Sequence, residues 1–123
     1  MNNLFQSTCR YGHLDIVKYL IEQGLSLNDV RSQNNLALRY ACENGHLDIV
    51  KYFVSLGFSI DDIRANSNQA LYWACKSGHL DIVKYFVSLG LSLDDIRSYI
   101  NRALRYACGN GHLDIVKLSL IHI

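Results

Sequence analysis

Apolar positions in this chain follow a helical spacing that repeatedly starts and stops. Leu38, Ala41 and Cys42 fall at i, i+3 and i+4, as do Leu71, Ala74, Cys75 and Leu104, Ala107, Cys108. That spacing lays side chains along one face of a short helix. A second stretch follows, with Ile49, Val50, Phe53 and Val54 on one face and Leu47 and Leu56 flanking it. Asn44-Gly45 and Ser77-Gly78 separate the two stretches and mark a turn. Gly57 and Gly90 follow the second stretch, where a glycine C-cap ends a helix. Short polar connections, Ser59-Ile60-Asp61-Asp62 and Ser92-Leu93-Asp94-Asp95, lead to the next pair. The pattern predicts helix, turn, helix and extended connector. Asn2, Asn35, Asn68 and Asn101 each precede a first helix. Asparagine is a favoured N-cap, so these residues are expected to cap it.

The unit recurs every 33 residues. Gly12–Tyr19, Gly45–Tyr52 and Gly78–Tyr85 all read GHLDIVKY, and Gly111–Leu118 reads GHLDIVKL. Full units span 31–63 and 64–96, with partial units at about 1–30 and 97–123. A fixed period of this size signals a solenoid or array. One helix pair cannot bury both its faces, and stacking pairs makes a continuous core. The motif is repeated because the same turn and the same joint are made at each step. The whole chain, 1–123, reads as a single domain.

The frame A-C-x-x-G-H-L-D-I-V-K-Y-x-x-x-x-G, at this period, resembles the ankyrin repeat, whose pattern runs T-P-L-H-x-A-A-x-x-G-H-x-x-V-V-x-x-L-L-x-x-G-A. The resemblance covers nearly the whole chain. It implies an all-α ankyrin-repeat solenoid of stacked helix-turn-helix units with extended connectors. The form ALRYACENGHLDIVKY further resembles the ankyrin arrays of giant DNA viruses of amoebae (mimivirus-like). Departures from the family pattern matter. Its Thr-Pro becomes Leu36-Ala37, Gln69-Ala70 and Arg102-Ala103, and its His becomes Arg39, Tyr72 and Arg105. The Thr–His hydrogen bond of the family therefore cannot form. The hairpin glycine becomes Asn34, Ser67 and Ile100. Asn34 can take a left-handed turn at modest cost and Ile100 cannot, so the last connector is expected to deviate. The ending leaves the register at Leu118 and has Ile123 where Gly57 and Gly90 stand. Its apolar Leu118, Leu120, Ile121 and Ile123 favour a truncation, with self-association through an uncapped end or fraying as alternatives.

Charge narrows the function classes. The formal net charge is +1, which argues against a strongly basic nucleic-acid binder and gives no reason for an anionic membrane surface. No apolar run approaches the ~18 residues of a membrane span. MNNLFQSTCR lacks the basic and apolar regions of a signal peptide. A soluble intracellular protein is expected, cytoplasmic, and in the host cytoplasm if viral.

The repeated cysteines and histidines invite metal or redox chemistry, and geometry argues against it. Cys9, Cys42, Cys75 and Cys108 hold the same place in each unit. Stacked helices lie ~8–10 Å apart, beyond the ~7 Å that a disulfide bridges. A zinc site needs every sulfur about 2.3 Å from one ion. The cysteines read as small buried hydrophobes. His13, His46, His79 and His112 each start a second helix, with Asp15, Asp48, Asp81 or Asp114 two residues on. Residues two apart do not face each other on a helix, and an aspartate there complements the macrodipole. Asp48 and Lys51, three apart, could form at most a weak helix pair, and they read as part of a solvated face. No catalytic residue, metal or cofactor is expected, and the chain is not read as an enzyme. Tyr40, Trp73 and Tyr106, with Tyr19, Tyr52 and Tyr85, are expected mostly to pack the core. Trp73 is also a candidate anchor for a partner.

Recognition is sought where the repeats differ, because equal positions maintain the stack. One variable column holds Gln33, Asn66 and Tyr99. Another holds Arg10, Glu43 and Lys76, followed by Tyr11, Asn44, Ser77 and Asn110. A third holds Arg39, Tyr72 and Arg105. By the resemblance, these map to connector tips and the concave face of the first helices, where ankyrin proteins bind partners. The expectation is a module that binds another protein. The alternatives are a scaffold or fragment that binds nothing, and a metal or redox protein using the Cys or His ladder.

Overall fold

A computed structural model describes residues 2–91, and within them every regular element is helical. α1 (Asn2–Arg10) and α2 (Leu14–Glu22) form the first pair. α3 (Leu27–Val30) is a single turn in the first connector. α4 (Ser32–Glu43) and α5 (Leu47–Ser55) form the second pair, and α6 (Ile60–Lys76) and α7 (Leu80–Ser88) the third. α1, α4 and α6 pack broadly on one another, while α2, α5 and α7 touch each other much less. The first helices thus form the more continuous layer of the stack, and the side that they line is the inner face.

The repeated apolar positions supply the core. Ile49, Val50 and Phe53, with Ile82, Val83 and Phe86, are all 0% exposed. Leu38, Ala41 and Cys42 are buried beside them, in one cluster that runs from Phe5 to Leu91. The small Ala41 and Cys42 let the first helices approach closely. Phe53 ties the first two units together, its ring centroid 6.2 Å from that of Phe5 and 5.2 Å from that of Phe58. Emptying such a site by Phe→Ala typically costs about 3–5 kcal/mol.

The connectors are not extended. Ser26 and Ser59 each open a helical turn through a capping box. The Ser26 amide donates to Asp29 Oδ2 at 2.9 Å, and the Asp29 amide donates back to Ser26 Oγ at 3.1 Å. The Ser59 amide likewise donates to Asp62 Oδ2 at 3.0 Å. Hydrogen bonds from the Ser26 backbone and hydroxyl hold the Asp29 carboxyl below its ordinary range. The sequences Ser26-Leu27-Asn28-Asp29 and Ser59-Ile60-Asp61-Asp62 favour this over a strand, because both orphan donors are satisfied locally.

The chain then turns left-handed. Gln33, Asn34 and Asn35 have φ of 55°, 58° and 59°, and Asn66 and Asn68 have 56° and 57°. This corrects the expected N-cap role of Asn35 and Asn68. Asn35 is buried and its Oδ1 accepts no hydrogen bond, so its side chain does not cap α4. What the position requires is a left-handed backbone, which asparagine adopts more readily than most residues. The expected glycine C-caps hold, with Gly57 at φ 120° and Gly90 at φ 104°. Asn101, the Ile100 connector, and the apolar ending at Leu118, Leu120, Ile121 and Ile123 lie outside the described residues.

Candidate partner-binding face

The joints between repeats define which residues are committed to the stack. His46 Nε2 donates to the Arg10 carbonyl at 2.9 Å, and His79 Nε2 donates to the Glu43 carbonyl at 3.0 Å. Each ring lies in a space that a glycine of the preceding repeat leaves open. A Cβ on Gly12 would fall 2.5 Å from the His46 ring, and one on Gly45 would fall 2.7 Å from the His79 ring. Gly-His is thus one device spanning two repeats, with each histidine filling the space beside the previous glycine. On the outer side, Lys18 lies 5.4 Å from the Tyr52 ring centroid and Lys51 lies 5.5 Å from that of Tyr85. Asp48 Oδ1 instead accepts from the Ile49 amide at 2.8 Å. Lys51 on this face thus makes its ring contact across repeats. Tyr52 and Tyr85 are half-buried as expected, but Tyr19 is 59% exposed and does not pack the core.

Cys9, Cys42 and Cys75 are buried free thiols. Burial pushes the Cys9 and Cys75 thiols up to about 12 and that of Cys42 higher still. A thiol so shifted is a poor nucleophile and metal ligand. Among the described residues, no group of three His, Cys, Asp or Glu could hold a metal ion.

The inner face carries a run of cations stacked on aromatic rings. Arg10 lies 5.3 Å from the Tyr40 centroid and 5.9 Å from that of Tyr11. Arg39 lies 4.5 Å from the Trp73 centroid. Lys76 lies 4.7 Å from Trp73 and 5.9 Å from Tyr72. Tyr72 and Trp73 meet edge to face, with centroids 5.5 Å apart. Glu43 is 3.6 Å from Arg39, four residues away on α4. Such contacts hold long cationic side chains in place, each at about 0.5–1 kcal/mol when exposed.

Sequence-predicted residues divide into two groups. Arg10 and Tyr11 meet beside Tyr40, and Arg39, Glu43, Tyr72 and Lys76 meet around Trp73. Asn44 and Ser77 stand at the adjoining turns, where Asn44 Nδ2 donates to the Tyr40 carbonyl at 2.9 Å. Gln33 and Asn66 lie apart from the cluster, exposed on the left-handed turns. Asn66 Nδ2 donates to the Asn34 carbonyl at 2.9 Å, and Gln69 Nε2 donates to the same oxygen. Tyr99, Arg105 and Asn110 lie outside the described residues.

The family model for ankyrin repeats (many copies) matches residues 6–54, 38–87 and 71–118. The chain belongs to the ankyrin-repeat family. Ankyrin repeats are generally protein–protein interaction modules, and the family is typically non-enzymatic. No curated protein matches the chain. In this ankyrin array no helix among the described residues is long and apolar enough to cross a membrane.

Trp73, a candidate anchor by sequence, stands between Arg39 and Lys76. Two features of the array are not legible in the sequence. Tyr40 is half-buried under Arg10 rather than packed in the core. The second is a bidentate pair between connectors, with Arg31 Nε 2.7 Å from Asp62 Oδ1 and Nη2 3.0 Å from Oδ2. Arg31 also lies 5.0 Å from the Phe58 centroid. Burial pushes the Asp62 carboxyl up. Hydrogen bonds from Arg31 and the Ser59 backbone, with the Arg31 charge, more than offset this and hold it below its ordinary range.

Proposed function

We propose that the chain is an interaction module that holds a partner protein across the inner face of its first helices and its connector tips. The observation that carries this reading is the separation of two residue sets. Groups that lock the stack, Gly12 and Gly45 with His46 and His79, are the same from repeat to repeat. The groups that vary, Arg10, Glu43 and Lys76 with Arg39 and Tyr72, gather around Tyr40 and Trp73 on the inner face. Arginine, tyrosine and tryptophan are the residue types enriched in binding hot spots. Tyr11, Asn44 and Ser77 extend this face to the adjoining turns, and Gln33 and Asn66 add the connector tips. By sequence, Tyr99, Arg105 and Asn110 continue the same columns into the last repeat. The likeness of the repeat to ankyrin arrays of giant DNA viruses supports a host protein as the partner, met in the host cytoplasm.

Affinity capture from cytosol with mass spectrometry tests the reading. The bait is the chain beside a Tyr72→Ala, Lys76→Ala variant whose helicity is matched by circular dichroism. A protein retained by the first and lost with the second supports the inner-face site. Equal retention by both, or retention by neither, overturns it.

A further inference from the structure

Building on the inner-face binding just proposed, we infer that the partner presents an acidic, extended segment whose carboxylates accept hydrogen bonds from the guanidinium groups of Arg10 and Arg39. Charge is sorted between the layers of the stack. In the inner layer, α1, α4 and residues 68–76 of α6 carry the cations Arg10, Arg39 and Lys76 against a single carboxylate, Glu43. Every other carboxylate among the described residues stands on a second helix or in a capped connector turn. Two of the inner cations are held in place with donors to spare. Arg10 is exposed, lies over the Tyr40 and Tyr11 rings, and pairs with no carboxylate among the described residues. Arg39 lies over Trp73, and its buried Nε has no hydrogen-bond partner. Glu43, 3.6 Å away, is beyond hydrogen-bond length. Arg31 shows the contrast, with Nε and Nη2 both donating to Asp62.

A guanidinium resting on a ring still offers its edge to a carboxylate. Being fixed beforehand, it loses less side-chain entropy on binding. Spacing sets the form of the segment. Tyr40 and Trp73 hold the same place on neighbouring first helices, so the two cation sites lie about one helix spacing apart, ~8–10 Å. A chain in polyproline-II form presents every third side chain on one side, ~9 Å apart. Acidic residues three apart therefore reach both arginines. Two separated guanidinium groups suit two carboxylates better than one phosphate, around which cations must converge. A formal net charge of +1 gives a nucleic-acid backbone little to hold.

Panning a displayed library of random twelve-residue peptides against the whole chain tests the proposal. Retained peptides should be enriched in Asp and Glu, with pairs three residues apart, and should be lost on the Tyr72→Ala, Lys76→Ala variant. The best of them is then titrated by fluorescence anisotropy against variants of matched helicity. Arg10→Gln and Arg39→Gln should each bind it at least about tenfold more weakly. Glu43→Gln removes the inner carboxylate and should bind it up to about fivefold more tightly, a gain that damage to the fold does not produce. Peptides without acidic enrichment that still need Tyr72 and Lys76 overturn the acidic segment and leave the inner-face site standing. Acidic peptides indifferent to Arg10 and Arg39, or bound no more tightly by Glu43→Gln, overturn it as well. No retained peptide, or retention that the Tyr72→Ala, Lys76→Ala variant matches, overturns the segment and the inner-face site together.

Discussion

Replacing Gly45 by alanine strikes one joint of the stack twice. Its φ of 78° puts the backbone in the left-handed region, which strains an L-residue by roughly 1–2 kcal/mol. The new Cβ would also fall 2.7 Å from two atoms of the His79 ring, so the ring must leave its place. That breaks the 3.0 Å hydrogen bond from His79 Nε2 to the Glu43 carbonyl, worth about 1 kcal/mol. The sum is about 2–3 kcal/mol. At roughly 4 °C per kcal/mol for a domain of this size, the melting temperature should fall by about 10 °C. Urea and thermal unfolding followed by circular dichroism measure the loss. The decisive comparison is a cycle with His79→Ala. That change alone should cost about 1 kcal/mol through the lost hydrogen bond. In its background, Gly45→Ala should cost only the backbone strain, because no ring remains to be displaced. The two changes should therefore couple by about 1 kcal/mol. Strict additivity would show that glycine and histidine are not one device, and the account of why the motif is repeated would fail.

Other expectations follow from single observations. Arg31→Ala removes the bidentate pair with Asp62 and should cost about 1 kcal/mol or less, since both side chains are partly exposed. Because the Asp62 carboxyl is held low in the fold, its contribution is present above its unfolded value and lost as pH falls through the folded value. The stability gap between parent and Arg31→Ala should therefore shrink in acid, below a pH of about 4. Asn34→Gly should leave stability unchanged or raise it in urea unfolding, because φ is 58° there, while Asn34→Val should lower it by about 1 kcal/mol or more. At pH 8, the buried thiols of Cys9, Cys42 and Cys75 should resist a disulfide reagent until the chain unfolds. Labelling of any of the three at the rate of a free thiol in the native state would contradict their placement.

The sequence alone determined the parts of this protein that depend on neighbours along the chain. Helical spacing of Leu38, Ala41 and Cys42, and of Ile49, Val50 and Phe53, marked the two helices and their buried faces, because periodicity is a local property. Repetition of GHLDIVKY at equal intervals marked the stack, because identical joints need identical residues. The connectors were only half legible. An asparagine before a helix signals a cap or a left-handed turn equally well, and the choice falls to what the surrounding backbone demands. At Asn35 the backbone demanded positive φ, and the side chain was left without an acceptor role. The tertiary structure decided everything that joins residues about one repeat apart. His46 on Arg10, Arg39 on Trp73, Lys51 on Tyr85 and Arg31 on Asp62 are all such pairs. Their partners lie too far along the chain for any spacing rule, and they meet because stacking brings successive repeats side by side. The meeting of Arg39 and Lys76 at Trp73, and of Arg10 at Tyr40, has the same origin, in first helices that pack against one another.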